Sequence, residues 1–162
     1  MMRVGLGVDV HAFAAPEDGR RLVLGGVVIP SDRGLLGHSD ADVLAHAVAD
    51  ALLGAAGLED IGHYFPDTGE RFRDADSIEL LREARALVGT SWIVANVDAV
   101  VICERPKIRD HRAAMRKNLA GALGVDPARV GVRGTTTERL GFTGRGEGIA
   151  AQAVCLLEER QG

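Results

Sequence analysis

GLGVDVHAF, residues 5–13, decides between two folds. Gly5 and Gly7 open like a nucleotide-binding glycine loop, the mark of a dinucleotide-binding α/β sheet, whereas Asp9 and His11 look like two metal ligands on a strand. The dinucleotide fingerprint G-x-G-x-x-G needs a third glycine at position 10, and Val10 stands there. A phosphate loop fails as well: Gly141 and Gly146 have its separation, but Glu147 and Gly148 follow where Lys and Ser or Thr are required. The glycines are left to serve turns and close packing. On a strand, residues two apart project from the same face, so Asp9 and His11 are placed to grip one ion.

Working outward, Arg3 to Phe13 is β-branched and glycine-rich, and RRLVLGGVVIP (20–30) gives a second β-like run, with a hairpin expected around APEDG. HSDADVLAHAVADALLGAAG (38–57) has apolar residues at helical spacing, with Ser39 or Asp40 available as N-cap. After a loop containing DIGHYFPDTGERF, the helical period resumes in DADSIELLREARALVGT. WIVANVDAVVICE (92–104) reads as a long strand buried on both faces, and IRDHRAAMRKNLAGALG (108–124) as a third amphipathic helix. ARVGVRGTTTE and GIAAQAVCLLEER close the chain as two strands around a glycine-rich turn. The order predicts an α+β fold: a four- to five-stranded mixed, mainly antiparallel sheet with helices on one face, in a single domain spanning 1–162.

Zinc suits a carboxylate with imidazoles, and three protein ligands leave one coordination position open for substrate. His46 is the third candidate, on the strongest helix among small residues. Alone, D-x-H also fits an ordinary surface pair, and a helical His a structural role. HSDAD shifts the balance by crowding His38, Ser39, Asp40 and Asp42 just ahead of His46.

The chain of 162 residues is 46% hydrophobic, enough for a real core, and its six aromatics against 21 glycines make that core chiefly aliphatic. A net charge of -4 with scattered arginines gives no continuous basic patch, which argues against nucleic acid and for a small ligand. Cys103 and Cys155 form no CxxC pair and are expected as free thiols in a reducing compartment. No stretch approaches the roughly 20 apolar residues of a membrane span, and there is no charged-then-apolar leader, so a soluble cytoplasmic protein without a membrane partner is expected.

Taken together, DVH (9–11), GLLGHSDADVLAHAVADALLGAAGLEDIGHYFPDT (34–68), ADS (75–77), NVDAVVICERPK (96–107) and GTTTERLGFTGRGEGIAAQAV (134–154) resemble the 2-C-methyl-D-erythritol 2,4-cyclodiphosphate synthase family of the non-mevalonate isoprenoid pathway. The resemblance implies an intramolecular reaction. In 4-diphosphocytidyl-2-C-methyl-D-erythritol 2-phosphate, the 2-phosphate oxygen attacks the β-phosphorus, and CMP leaves. Forcing two anionic phosphates together makes charge neutralisation and alignment the protein's task.

By resemblance, Asp9, His11 and His46 hold Zn²⁺, and Glu138 is the one protein contact of a second ion, Mg²⁺ or Mn²⁺, at the diphosphate. His38 and Ser39 match positions that hold the methylerythritol phosphate, and Thr137 and Glu138 join them in the catalytic set. Asp60, Ile61 and Gly62 match ribose-contacting positions, while Phe65 and Asp67 belong to the same substrate-binding stretch, Asp67 facing the erythritol hydroxyls. The cytidine pocket is implied at Cys103, Pro106, Lys107, Gly134, Thr135 and Thr136. The family is a homotrimer with active sites between subunits, and Phe142 and Arg145 match the lining of a central cavity that takes isoprenoid diphosphates in some members; an Arg145–Glu147 ion pair is the simpler reading there. Gly69, Gly134 and Leu6 depart from the family pattern without removing a ligand. A metal-dependent nucleotide diphosphate hydrolase and a non-catalytic isoprenoid-diphosphate-binding trimer are the alternatives.

Overall fold

The structure is a computed structural model that describes residues 1–66 and 73–161. Alternation gives β1 (Met2–Ala12) two unlike faces: Gly5 and Gly7 turn inward, while Val4, Leu6, Val8 and Val10 turn outward. β1 pairs antiparallel with β6 (Gly148–Glu159), β6 pairs antiparallel with β4 (Trp92–Ile102), and β4 runs parallel to β5 (Val130–Thr135). The order β1-β6-β4-β5 makes a four-stranded mixed sheet. Because β6 alone runs against the other three, the C-terminal ends of β1, β4 and β5 share one edge. Asp9, His11, Cys103 and Thr135 lie along that edge.

Three expectations about the strands are corrected. Residues 20–30 stay out of the main sheet and form their own hairpin, β2 (Leu22–Leu24) with β3 (Val27–Ile29), turning on Gly25 and Gly26. Both glycines have positive φ, +57° and +69°, the conformation that lets a two-residue turn match the twist of its strands. APEDG is not a hairpin: Pro16–Asp18 form one 3-10 turn, and β1 finds its partner in β6 instead. β4 is covered on one face only, since Val94, Val97, Ala99 and Val101 are buried while the residues between them are more open.

α1 (Val43–Ala56) lies on β1 and β6, α4 (Arg112–Leu123) on β5, and α3 (Ser77–Val88) bridges α1 and α4. The helices therefore sit on one face, as expected. α1 is buried on nearly every side, leaving Gly54 exposed and His46, Asp50 and Ala56 partly open. Its N-cap is Asp42 rather than Ser39 or Asp40. That carboxylate accepts from the Leu44 and Ala45 N–H groups at 3.2 and 3.0 Å, and also from Gly25 and Gly26 at 2.9 and 2.7 Å, tying the hairpin turn to the helix start. Burial pushes its pKa up to about 6, although the Ala45, Gly26 and Gly25 donors favour the charged form. Two short helices, α2 (Ile61–Tyr64) and α5 (Gly141–Gly144), flank the functional edge. Among the described residues, no helix is long and apolar enough to cross a membrane.

Candidate functional site

The opening glycines are packing devices. A Cβ built on Gly7 would collide with the Ala47 carbonyl oxygen and lie 2.6 Å from the Ala51 nitrogen; one on Gly5 would lie 2.9 Å from the Ala55 Cα. Ala47, Ala51 and Ala55, four residues apart, form the stripe of α1 that meets β1. With no side chain on the strand and only methyl groups on the helix, the helix backbone rests on the strand backbone. His46, next to Ala47, is thereby carried to Asp9 and His11.

These three side chains converge. Asp9 Oδ2 lies 3.0 Å from His11 Nε2 and 3.1 Å from His46 Nδ1, and the two ring nitrogens are 3.3 Å apart. Among the described residues they are the one group whose ligand atoms suit a shared metal ion, all within 4.8 Å of one another. Burial works against the Asp9 charge, but hydrogen bonds and charge from His11 and His46 outweigh it and hold the carboxyl well below the usual range. Burial likewise works against protonated His11, and Asp9 overrides it to raise the imidazole.

Surrounding groups fix which nitrogen faces inward. His11 Nδ1 is 2.6 Å from the Leu36 carbonyl, an acceptor that claims its proton and leaves Nε2 as the inward lone pair. His46 Nε2 lies 2.9 Å from Ser77 Oγ, which itself donates to Asp40, so the hydroxyl accepts the Nε2 proton and Nδ1 faces inward. Arg20 clamps the loop that supplies these partners, donating to the Leu35 and Ser39 carbonyls at 2.6 and 2.7 Å. Of these orienting groups, Asp40 is expected from sequence only as an N-cap candidate, Ser77 and Leu36 lie within the family motifs without a role, and Arg20 carries no signal. Ser39 is buried, its Oγ accepting from the Ala41 N–H at 3.1 Å and lying 3.4 Å from His46 Nε2. His38 is half-buried beside it, and its carbonyl accepts from the Asp74 N–H at 2.9 Å.

A second group assembles where β4 and β5 end. Cys103, Pro106, Lys107, Gly134, Thr135 and Thr136, the six residues expected around cytidine, line one cavity of about 620 Å³ together with Ile108, Arg109, Asp110 and Arg112. The three flanking charged residues had not been anticipated there. Burial pushes the Cys103 thiol up to about 11, so the sulfur is a neutral wall; Cys155 is likewise a free, buried thiol. Glu138 stands beside the cavity, its carboxylate accepting from Thr136 Oγ1 at 2.8 Å. The Thr137 hydroxyl is turned into its own loop, donating to the Leu140 carbonyl at 2.6 Å. Asp9, Ala151, Val101 and Gly134 form one row across the sheet, which separates the metal group from the cavity by three strand spacings, about 14 Å.

The remaining residues are placed by local structure. Asp60 caps α2, accepting from the His63 N–H at 3.0 Å, while Asp50 on α1 accepts from Ile61 N–H at 2.7 Å. Since Asp50 is one turn beyond His46, the same face of α1 carries a metal candidate and anchors the segment holding Asp60, Ile61 and Gly62. Phe65 borders a separate cavity of about 410 Å³ with Tyr64, Glu83, Ala86 and Leu87. Asp67 and Gly69 lie outside the described residues. Arg145 pairs in bidentate fashion with Glu147, at 2.7 and 3.1 Å, close to an exposed Phe142.

Known proteins share this sequence and fold. The family model described as YgbB family matches residues 2–158. The 2-C-methyl-D-erythritol 2,4-cyclodiphosphate synthase of Rubrobacter xylanophilus is 81% identical over 160 residues, covering 99% of this chain and 97% of the relative. Among solved structures, the bifunctional IspDF from Campylobacter jejuni gives a TM-score of 0.93 at 44% identity over 99% of this chain, which spans 43% of that longer protein. A CDP complex of IspF from Plasmodium falciparum gives 0.85 at 35% identity, covering 99% of this chain and 97% of that one. With its sequence matched nearly end to end, the chain belongs to the YgbB family, that of the 2-C-methyl-D-erythritol 2,4-cyclodiphosphate synthases.

Proposed function

We infer that the chain converts 4-diphosphocytidyl-2-C-methyl-D-erythritol 2-phosphate to 2-C-methyl-D-erythritol 2,4-cyclodiphosphate and CMP. The 2-phosphate oxygen forms a bond to the β-phosphorus, and the bond from that phosphorus to the CMP oxygen breaks. One observation carries the reading: a carboxylate and two imidazoles converge within 4.8 Å in a chain 81% identical to a named synthase.

The donor set fits zinc, because one carboxylate oxygen and two imidazole nitrogens face inward and both rings are oriented by groups behind them. Zn²⁺, which Asp9, His11 and His46 would hold, would supply positive charge that polarises a phosphate group. The chain's own groups do the aligning. Ser39 already accepts from Ala41, which leaves its proton to be donated to the 2-phosphate alongside His38. Asp60, Ile61 and Gly62 meet the ribose, and Phe65 and Asp67 the rest of the substrate. Lys107 offsets phosphate charge, and the cavity between Cys103 and Thr136 takes the cytosine, in keeping with the CDP bound by a relative. Glu138, beside that cavity, contacts Mg²⁺ or Mn²⁺ at the diphosphate, while Thr137 shapes the turn that presents it. Holding nucleophile and electrophile in line contributes up to about 7–11 kcal/mol in well-aligned intramolecular reactions.

The working unit is a homotrimer of single-domain chains. Within one chain the two halves stand about 14 Å apart along the sheet, so a neighbour's cavity completes the metal half. The outward valines and leucine of β1 supply an apolar face for that contact. Free buried thiols are in keeping with the reducing cytoplasm.

The test is ³¹P NMR of the reaction in H₂¹⁸O, with metal analysis of the purified protein. Formation of CMP and one cyclic diphosphate free of solvent label, by protein carrying one zinc per chain, is the expected result. Labelled product would mean hydrolysis, and absence of turnover would leave a binding protein.

A further inference from the structure

We propose that Glu104 is a positioning residue that sets the aim of Glu138; the proposal rests on the reading of Glu138 as the protein contact of the diphosphate-bound cation. Glu138 and Arg139 have φ of +52° and +68°, and among the described residues they are the one place where two consecutive non-glycine residues hold the left-handed conformation. Side chains disfavour that conformation, so it persists where the surroundings impose it. Glu104, two residues past β4, provides the constraint. Its Oε1 accepts the Thr137 N–H at 3.2 Å and the Arg139 N–H at 3.1 Å, the two amides that flank Glu138. Two main-chain N–H groups converging on one anionic oxygen make the concave nest that elsewhere captures phosphate. Here a carboxylate of the chain fills it.

The rest of the turn is closed around this contact. The Leu140 N–H donates to the Thr137 carbonyl at 3.0 Å, and the Thr137 hydroxyl donates back to the Leu140 carbonyl. A Cβ on Gly144 would lie 2.7 Å from the Arg139 Cα, so α5 abuts the turn from the other side. With its backbone clamped, Glu138 has its carboxylate swivel set by Thr136 Oγ1, at the wall of the nucleotide cavity. Glu104 is occupied by the amides, which leaves Glu138 to face the cation.

Calorimetry of CDP binding to the full-length, zinc-loaded protein, with and without Mg²⁺, tests this without turnover. Wild type should bind CDP more tightly with Mg²⁺, and Glu138→Gln should lose that increment. Glu104→Leu, of similar size but without an acceptor, should lose about tenfold of the Mg²⁺-dependent tightening while Mg²⁺-free CDP affinity and zinc content stay near wild type. Glu104→Gln, which keeps an accepting oxygen, should restore the increment. Full tightening in Glu104→Leu, or an equal loss of affinity with and without Mg²⁺, overturns the proposal and leaves Glu138 as the contact. Full tightening in Glu138→Gln removes that assignment and the proposal with it.

Discussion

Gly7 of β1 lies against the Ala47 carbonyl of α1 with no room for a methyl group between them. That approach sets the depth at which α1 sits, and hence whether His46 reaches Asp9, 3.1 Å away. Gly7→Ala should push helix from strand, at a cost of about 3 kcal/mol, the upper part of the range for overpacking, because the obstacle is backbone that cannot change rotamer. Zinc content should fall with stability. Gly5→Ala, which faces Ala51 and Ala55 farther along the helix, should destabilise comparably and retain more metal. Urea unfolding with metal analysis checks both, and a Gly7→Ala protein of wild-type stability would refute the account of the glycines.

Ser77 tests the orientation of His46. Its hydroxyl stands between the outer ring nitrogen and Asp40, so Ser77→Ala leaves the imidazole in place but without its acceptor. Zinc affinity should weaken roughly 10- to 100-fold, the usual effect of removing an outer partner of a metal-bound histidine. CDP affinity measured at saturating zinc should hardly change, because the cavity residues are untouched. Competition with a chelating dye reads the first and calorimetry the second; unchanged zinc affinity would mean that the ring is held by packing alone.

Much of this was legible in the sequence because it rests on local rules. Failure of the glycine fingerprint at Val10 excluded the dinucleotide fold, and same-face projection of Asp9 and His11 gave the strand half of the metal group. The strand partners were not legible. APEDG looks like a hairpin turn by composition, yet β1 pairs with β6 because its inward glycines need the α1 stripe, and α1 also packs on β6, which is a tertiary constraint. Asp42 outcompeted Ser39 and Asp40 as N-cap because it alone also satisfies the hairpin amides of Gly25 and Gly26. Arg20 and the Leu36 carbonyl act through backbone contacts across the fold, and such contacts leave no spacing to read.

Protons and metal compete for the same atoms, which fixes a pH dependence. In metal-free protein, Asp9 is held below its ordinary 3.8, so its contribution is present above that value and is lost as pH falls toward the lowered one. His11 is raised above its ordinary 6.5, so its contribution is fully present below 6.5 and is lost as pH rises through the raised value. Both act together between pH 3.8 and 6.5. The melting temperature of chelated wild type minus that of Asp9→Asn should therefore be largest near pH 5 to 6 and shrink toward pH 8. Zinc affinity should move oppositely, tightening as His11 loses its proton. A difference that grows above pH 7 would contradict the pairing.

Burial along β1 divides the two functions of the strand between its faces. Asp9 and His11 point toward α1, while Val4, Leu6, Val8 and Val10 point away with 67%, 65%, 51% and 48% of their surface open, and Leu6 stands directly across from exposed Val154 on β6. A continuous apolar strip of this kind on a sheet face favours association. In the proposed trimer this face is the contact, and Leu6→Asp should then give monomers in analytical ultracentrifugation, since a charge buried without a partner at each contact is costly. Zinc content should persist, because the ligands lie on the opposite face. Turnover should collapse in the monomer, as the metal half of each site loses the neighbour's cavity. A trimeric Leu6→Asp protein would exclude this face as the contact, and a monomer with full turnover would mean that one chain bridges the 14 Å by itself.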